Sequence, residues 1–316
     1  MTRPGMLVQR WALCLLASAL AGCSALSDPA PRPAANTRLP YPAPSERVVA
    51  WPGARAIDIP VSPALHLTGW WLPPENDTAP MGPRPVVIAL HGCGGLYSSA
   101  ASAQGRLSQR HGGFAERLRA QGWHVVLPDS LTARGERSLC EQRHADRRVG
   151  PADRRDDVQA TLAWLARQPW ADMSRVALVG WSHGGSTVLA ATHQGDPKVQ
   201  LQVFKPVTAV AFYPGCSLSL QQRYQPVAPL LMLLGAEDDW TPAQPCIRLA
   251  ARVGAQVRVY PDSHHGFDSP SGRVRHLPDV PNGAKPGQGV HAGRHPVTGP
   301  QAWDEAVVWL RQALTD

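Results

Sequence analysis

The sequence predicts an α/β fold with a mainly parallel sheet and helices on both faces, and two observations carry that expectation. Short continuous apolar runs recur along the chain, as strands buried on both faces read. Segments of helical periodicity separate them, so strand and helix alternate and parallel neighbours follow.

The first such run starts at Pro85, where Pro-Val-Val-Ile-Ala-Leu ends in His91-Gly92. Others follow at His124 to Pro128, Arg175 to Gly180, Val207 to Tyr213, Pro229 to Gly235 and Val257 to Tyr260. The helical segments are Phe114 to Gln121, Ala152 to Arg167, Gly184 to Thr192, Pro242 to Val253 and Gln301 to Leu314. Ahead of them, Arg47 to Ile59 and Leu65 to Leu72 read as an antiparallel hairpin at the sheet edge. Ser269 to Pro300 is rich in Gly, Pro, His and Arg without periodicity. A loop of that length inside a domain is often functional, and its place directly after His265 suits a roof over a site.

The chain has 316 residues, 43% of them hydrophobic and 17% charged, enough to bury one sizeable core. Its formal charge of +7 raises the question of a nucleic-acid partner. The densest basic run, Arg134, Arg137, Arg143, Arg147, Arg148, Arg154 and Arg155, is interleaved with Glu136, Glu141, Asp146, Asp153, Asp156 and Asp157. Nucleic-acid binding needs a one-signed patch, so these residues read as a solvated loop and helix face, and no nucleic acid is expected.

At the start, Arg3 and Arg10 flank the apolar run Trp11 to Leu20, too short to span a bilayer comfortably, and Leu20-Ala21-Gly22-Cys23 follows. This resembles a bacterial lipoprotein signal. The resemblance implies a signal peptide over 1–22, cleavage before Cys23, a diacylglyceryl group on its thiol and a lipid anchor in the cell envelope. Ser24 after the Cys favours the outer membrane in proteins of that type. Residues 23–44 are dense in Pro and Ala and read as the lipidated Cys and a tether, leaving 45–316 as the folded α/β domain. Cys93, Cys140, Cys216 and Cys246 then stand in a compartment that permits disulfides. Three connectivities are open. Cys216 with Cys246 is favoured because both lie at element ends near one face, which leaves Cys93 with Cys140; four free buried thiols are the alternative.

Gly180-Trp181-Ser182-His183-Gly184 is a G-x-S-x-G motif between a buried strand and a helix start, the context in which it marks a nucleophile elbow. A Ser hydroxyl needs a base, and the base an orienting acid. Both follow in order. Gly235-Ala236-Glu237-Asp238-Asp239-Trp240-Thr241-Pro242 comes after an apolar strand, and the spacing Gly-x-x-Asp with Pro four residues on singles out Asp238, with Asp239 as rival and Glu237 behind it. His264-His265-Gly266-Phe267 ends the last strand; His265, directly before Gly-Phe, is the expected base and His264 its rival. No recognised ligand spacing surrounds these histidines, so no metal is expected. Backbone N–H groups of His183 and of Cys93, in His91-Gly92-Cys93-Gly94-Gly95, are the candidate oxyanion donors. The Cys93 thiol lies outside any elbow and is not a nucleophile candidate. Trp181 and Trp240 adjoin the motifs, as core residues or as the wall of an aromatic pocket.

HGCGG at His91, PDS at Pro128 with Arg134-Gly135 beyond it, GWSHGG at Gly180, GAEDDWTP at Gly235 and HHGF at His264 together resemble the dienelactone hydrolase family from about Pro85 to Leu314. The resemblance implies an α/β-hydrolase sheet of about eight strands, no cofactor, and hydrolysis of esters or lactones of small carboxylic acids. Enzymes that give the family its name carry Cys at the elbow and a Glu after the first long strand, where this chain has Ser182 and His91-Gly92. The reading is a serine hydrolase of small-molecule esters or lactones, tied to the membrane through its N-terminal lipid. Two alternatives stand beside it: a prolyl-oligopeptidase-type peptidase, for whose propeller the residues between signal and core are too few, and a cell-envelope binding lipoprotein with a silent triad.

Overall fold

The computed structural model describes residues 50–75, 82–103 and 105–315. The expected signal and tether, with Cys23, and the first residues of the expected edge hairpin lie outside them.

The main sheet has eight strands: β1 (Arg55–Ser62), β2 (Leu65–Leu72), β3 (Arg84–Leu90), β4 (His124–Pro128), β5 (Ala171–Trp181), β6 (Thr208–Phe212), β7 (Leu230–Gly235) and β8 (Gln256–Tyr260). Their order is β1-β2-β4-β3-β5-β6-β7-β8, with β1 and β2 the antiparallel edge and β3 to β8 all parallel. Swapping β3 and β4 in that order creates a crossover at β3 and β5, and the carboxyl ends of strands beside such a point are where open α/β sheets carry their sites.

Alternation along each central strand feeds two cores. Val87 and Ala89 of β3 face the layer made by α1 (Gln109–Arg119) and α7 (Thr298–Leu314), while Val86, Ile88 and Leu90 face α2 (Pro151–Leu165), α3 (His183–Ala191) and α6 (Ala243–Val253). Burial on both faces is the reason these strands lack a polar alternation. Phe114 of α1 is fully buried, its ring centre 5.3 Å from that of Trp181, 5.9 Å from Phe212 and 5.3 Å from Trp303, all in edge-to-face arrangement. That aromatic cluster is the floor on which the end of β5 rests.

Two elements begin earlier than their apolar patterns indicate. α1 starts at Gln109, where the Ser108 hydroxyl accepts the His111 N–H. Gly112 and Gly113 hide its periodicity, and Gly112 is there because a β-carbon would stand 2.2 Å from the Trp51 ring. β5 starts at Ala171; its first turn is irregular, with Asp172 accepting from Ser174 and Arg175, so the apolar run proper begins only later. The short helices α4 (Pro197–Gln200) and α5 (Ser217–Gln221) carry no sequence periodicity. Within the long loop, β9 (Arg275–Leu277) and β10 (Val290–Ala292) pair as an antiparallel hairpin.

The mixed-charge run is not wholly solvated, contrary to expectation. Arg154 and Asp157 are fully buried on the inner side of α2, and Arg134 grips Asp157 with both guanidinium nitrogens, at 3.0 and 2.7 Å. Ion pairs taken out of water need this kind of bidentate satisfaction to persist.

His111 is buried with its Nδ1 2.9 Å from the Leu96 carbonyl, and burial, aided by Arg110, pushes its pKa down to about 4 from 6.5. The unfolded chain therefore takes the proton first as pH falls. Stability from this group is intact above pH 6.5 and is lost through the window down to about 4, by about 3 kcal/mol in all. Urea unfolding at pH 7 and pH 4.5 is expected to show a smaller acid loss in His111→Gln than in the wild-type chain.

Candidate active site

β5 ends at Trp181 and α3 begins at His183, leaving Ser182 alone at the bend with φ 54° and ψ −114°. A residue bearing a β-carbon is held there only by its surroundings. The surroundings leave no room: a β-carbon on Gly180 would lie 2.2 Å from the Gly184 carbonyl oxygen, and one on Gly184 would lie 2.1 Å from that of Leu90. Ser182 donates its N–H to Phe212 O at 2.9 Å and accepts from Ser186 N–H at 2.8 Å.

Ser182 Oγ stands 2.9 Å from His265 Nε2, and His265 Nδ1 stands 2.8 Å from Asp238 Oδ2. The acid leaves β7 in a tight turn in which Asp238 Oδ1 accepts the N–H groups of Trp240 and Thr241, at 2.9 and 2.8 Å. Both carboxylate oxygens are thus engaged. Asp239, its rival in the sequence, turns away and binds His291 through backbone and ring, at 2.8 and 2.7 Å. His264 faces His291, with ring centres 5.6 Å apart, rather than Ser182.

His265 is boxed on two sides, by the Tyr213 ring edge and by Trp240, each with ring centre 4.6 Å away. Its carbonyl accepts the Gly293 N–H at 3.0 Å, beside a bridge from His265 to Ala292, so the β9–β10 loop fixes the base from outside.

Three further participants were assigned no role by the sequence motifs. Thr241 Oγ1 lies 3.0 Å from Asp238 Oδ2, His265 Nδ1 and Tyr213 O alike. Its single proton goes to one of the two acceptors, and its lone pairs share the His265 Nδ1–H with Asp238. Asp268, buried three residues beyond His265, accepts from the Trp181 indole at 2.8 Å, the Trp303 indole at 3.0 Å and the Tyr213 hydroxyl at 2.6 Å, with Arg110 3.2 Å away. Arg154 donates to His183 Nδ1 at 2.8 Å. Burial, then Arg154, hold the His183 pKa well below its usual value, and Arg154 is itself pushed down to about 10, still a cation at neutral pH.

A cavity of about 710 Å³ opens over Ser182, lined among others by Cys93, Arg147, His183, Trp240 and Ala284. The β3–α1 loop that carries Cys93 passes close by, since a β-carbon on Gly92 would be 3.6 Å from that of Ser182. Gly283 and Ala284 bring the long loop into the wall of the cavity. Trp240 lines it too, whereas Trp181 is 1% exposed and stacks on Phe212 beneath the elbow. At the strand end where a Glu stands in the namesake enzymes, His91 is buried, its Nε2 accepting from Ser130 N–H at 3.2 Å and its Nδ1 2.8 Å from Gly92 O. Burial, with Arg154, keeps it neutral. The cysteines are joined as Cys93–Cys140 and Cys216–Cys246. Among the described residues, no group of three or more His, Cys, Asp and Glu is placed to hold a metal ion.

The sequence model of the dienelactone hydrolase family matches residues 76–314. A protein of Klebsiella pneumoniae assigned as a dienelactone hydrolase superposes with a TM-score of 0.59 at 20% identity, over 82% of this chain and 98% of that one. Esterase 2 of Thermogutta terrifontis, in a structure phosphorylated by paraoxon, gives 0.55 at 16% identity, over 83% and 94%. Among curated sequences, a probable dipeptidyl-aminopeptidase B of Trichophyton verrucosum is 25% identical over 148 residues, 38% of this chain. The chain spans only 16% of that relative's length.

The hydrogen bonding separates the two adjacent aspartates. Asp238→Asn is expected to lower kcat by roughly 10³–10⁴, because the amide favours the wrong imidazole tautomer. Asp239→Asn is expected to stay within about threefold of wild type, read in the same aryl ester assay.

Proposed function

The chain belongs to the dienelactone hydrolase family, and from that premise we propose that it hydrolyses carboxylic esters or lactones through an acyl-enzyme on Ser182. The observation that carries the reading is the unbroken hydrogen-bond chain from Ser182 Oγ through His265 to buried Asp238, opening on a cavity.

As Ser182 Oγ attacks the carbonyl carbon, His265 Nε2 takes the hydroxyl proton. The carbonyl oxygen becomes an oxyanion, met by the backbone N–H groups of His183 and Cys93, which need little reorganisation. Asp238 stabilises the imidazolium and, with Thr241, holds the proton on Nδ1. His265 then gives its new proton to the leaving alcohol as the C–O bond breaks, leaving the acyl group on Ser182. In the second half a water takes the alcohol's place, His265 removes its proton, and the resulting tetrahedral centre expels Ser182 Oγ, which regains that proton.

The peptidase reading is favoured by the curated match alone. The same residues would cleave an amide, and a prolyl nitroanilide separates the two: turnover of aryl esters without that of the anilide supports the esterase. Ser182→Ala and His265→Gln are each expected to cut kcat on a short-chain aryl ester by several orders of magnitude with the fold intact. Ester turnover that survives in Ser182→Ala sinks the proposal.

Attachment of the chain to the envelope through lipid on Cys23 is part of the same proposal and rests on the residues around Cys23. Radiolabelled palmitate fed to expressing bacteria is expected to label the wild-type chain and not Cys23→Ala, and an unlabelled wild type would remove the anchor.

A further inference from the structure

An oxyanion donor acts well only if it is fixed before the charge develops. The loop that carries Cys93 is poorly suited to fixing itself, since Gly92, Gly94 and Gly95 surround the residue and glycine has the most backbone freedom to lose. What holds it is the segment 137–140, from the loop between β4 and α2.

Three contacts make the grip. Leu139 donates its N–H to Cys93 O at 2.8 Å. Gly95 sits at φ +81° with its α-carbon so near the chain that a β-carbon would lie 2.7 Å from Arg137 O. The third is covalent, the Cys93–Cys140 disulfide. Leu139 is itself fully buried with Leu131 and Val149 against Cys93. Farther along, Asn282 of the long loop donates to Gln142 O at 2.7 Å and accepts from His144 N–H at 3.0 Å, which ties the gripping segment to the loop that supplies Gly283 and Ala284 to the cavity wall. Cys93 is therefore held by its carbonyl and its side chain, next to Gly92, where an added β-carbon would stand 3.6 Å from that of Ser182.

We propose that the Cys93–Cys140 disulfide is a positioning device for the reaction, holding the Cys93 N–H at the oxyanion site so that opening the disulfide lowers turnover while substrate binding persists. The inference rests on the proposed acyl-enzyme reading and on Cys93 as an oxyanion donor. Loss of a whole donor costs about 10²–10³ in kcat. Loosening one is expected to cost roughly tenfold or more, with KM changed less than about twofold.

A disulfide that serves only stability, by restricting the unfolded chain, lowers the melting temperature and leaves kcat alone well below it. The test therefore reads kcat, KM and the inhibition constant of an alkyl boronic acid, whose tetrahedral adduct places an oxygen where the oxyanion forms. In Cys140→Ala, kcat is expected to fall and the boronate to weaken by a similar factor. Reducing wild type with a phosphine under native conditions should reproduce both effects. Each reduction passes two electrons from phosphorus to the S–S bond, water supplying two protons and the phosphine oxide's oxygen. The same treatment should leave Cys140→Ala unchanged, which separates this disulfide from Cys216–Cys246. A folded Cys140→Ala with wild-type kcat and boronate affinity overturns the inference. Should that variant not fold, unaltered boronate affinity in native wild type with all four thiols titrated overturns it instead. Ester turnover that survives Ser182→Ala defeats the parent reading, whereas loss there with none in Cys140→Ala defeats this inference alone.

Discussion

Ser182 is held at φ 54°, and the local packing follows from accommodating it. A bend this sharp between β5 and α3 drives the flanking backbone together, so that the Gly184 carbonyl oxygen lies where a side chain on Gly180 would begin. The cost of such a conformation, of order 1–3 kcal/mol, has to be met by neighbours that over-determine it. Here they are the Phe212 carbonyl that takes the Ser182 N–H, the α3 backbone, and the aromatic floor of Phe114, Trp181 and Phe212. The result is a hydroxyl presented at the carboxyl end of the sheet, on rigid elements and not on a loop.

Behind the elbow lies a second layer of buried polar groups that a hydrophobic account of the core would not include. Asp268 collects two indoles, a phenol and a guanidinium, and those donors come from β5, the end of β6, α1 and α7. One carboxylate thereby links the strand of the nucleophile, the ring over the base and the two helices beneath. On the opposite side of the sheet, Arg154 fastens the His183 imidazole, whose backbone N–H faces the reacting carbonyl in the proposed chemistry. Satisfied networks of this kind specify one arrangement, since a partner lost in a dry interior is expensive.

The succession of strands and helices along the chain, the burial of the strands on both faces and the turns bearing Ser182, Asp238 and His265 were legible because each leaves a local mark: a continuous apolar run, a glycine pair, a carboxylate after a strand. Asp268 and Arg154 were not, nor was the role of Thr241 within its motif, because their importance lies in long-range contacts, with partners 29 to 158 residues away for the two charged groups. Arg154 and Asp157 looked like members of a solvated mixed-charge run, and only the packing of α2 against α3 takes them out of water. The early start of α1 was hidden by Gly112, whose missing side chain makes room for Trp51. Periodicity reports which side a residue faces, and says little about a glycine chosen for a neighbour's sake.

The central claim is that the Ser182 hydroxyl is made nucleophilic by the His265–Asp238 pair. The most direct measurement is mass spectrometry of peptides from folded protein treated with a fluorophosphonate at neutral pH. The account predicts a single phosphonyl adduct, on the peptide bearing Ser182, formed in proportion to the loss of ester turnover. An unmodified Ser182 in protein that still turns over ester, or an adduct on another residue that tracks inactivation, would contradict it.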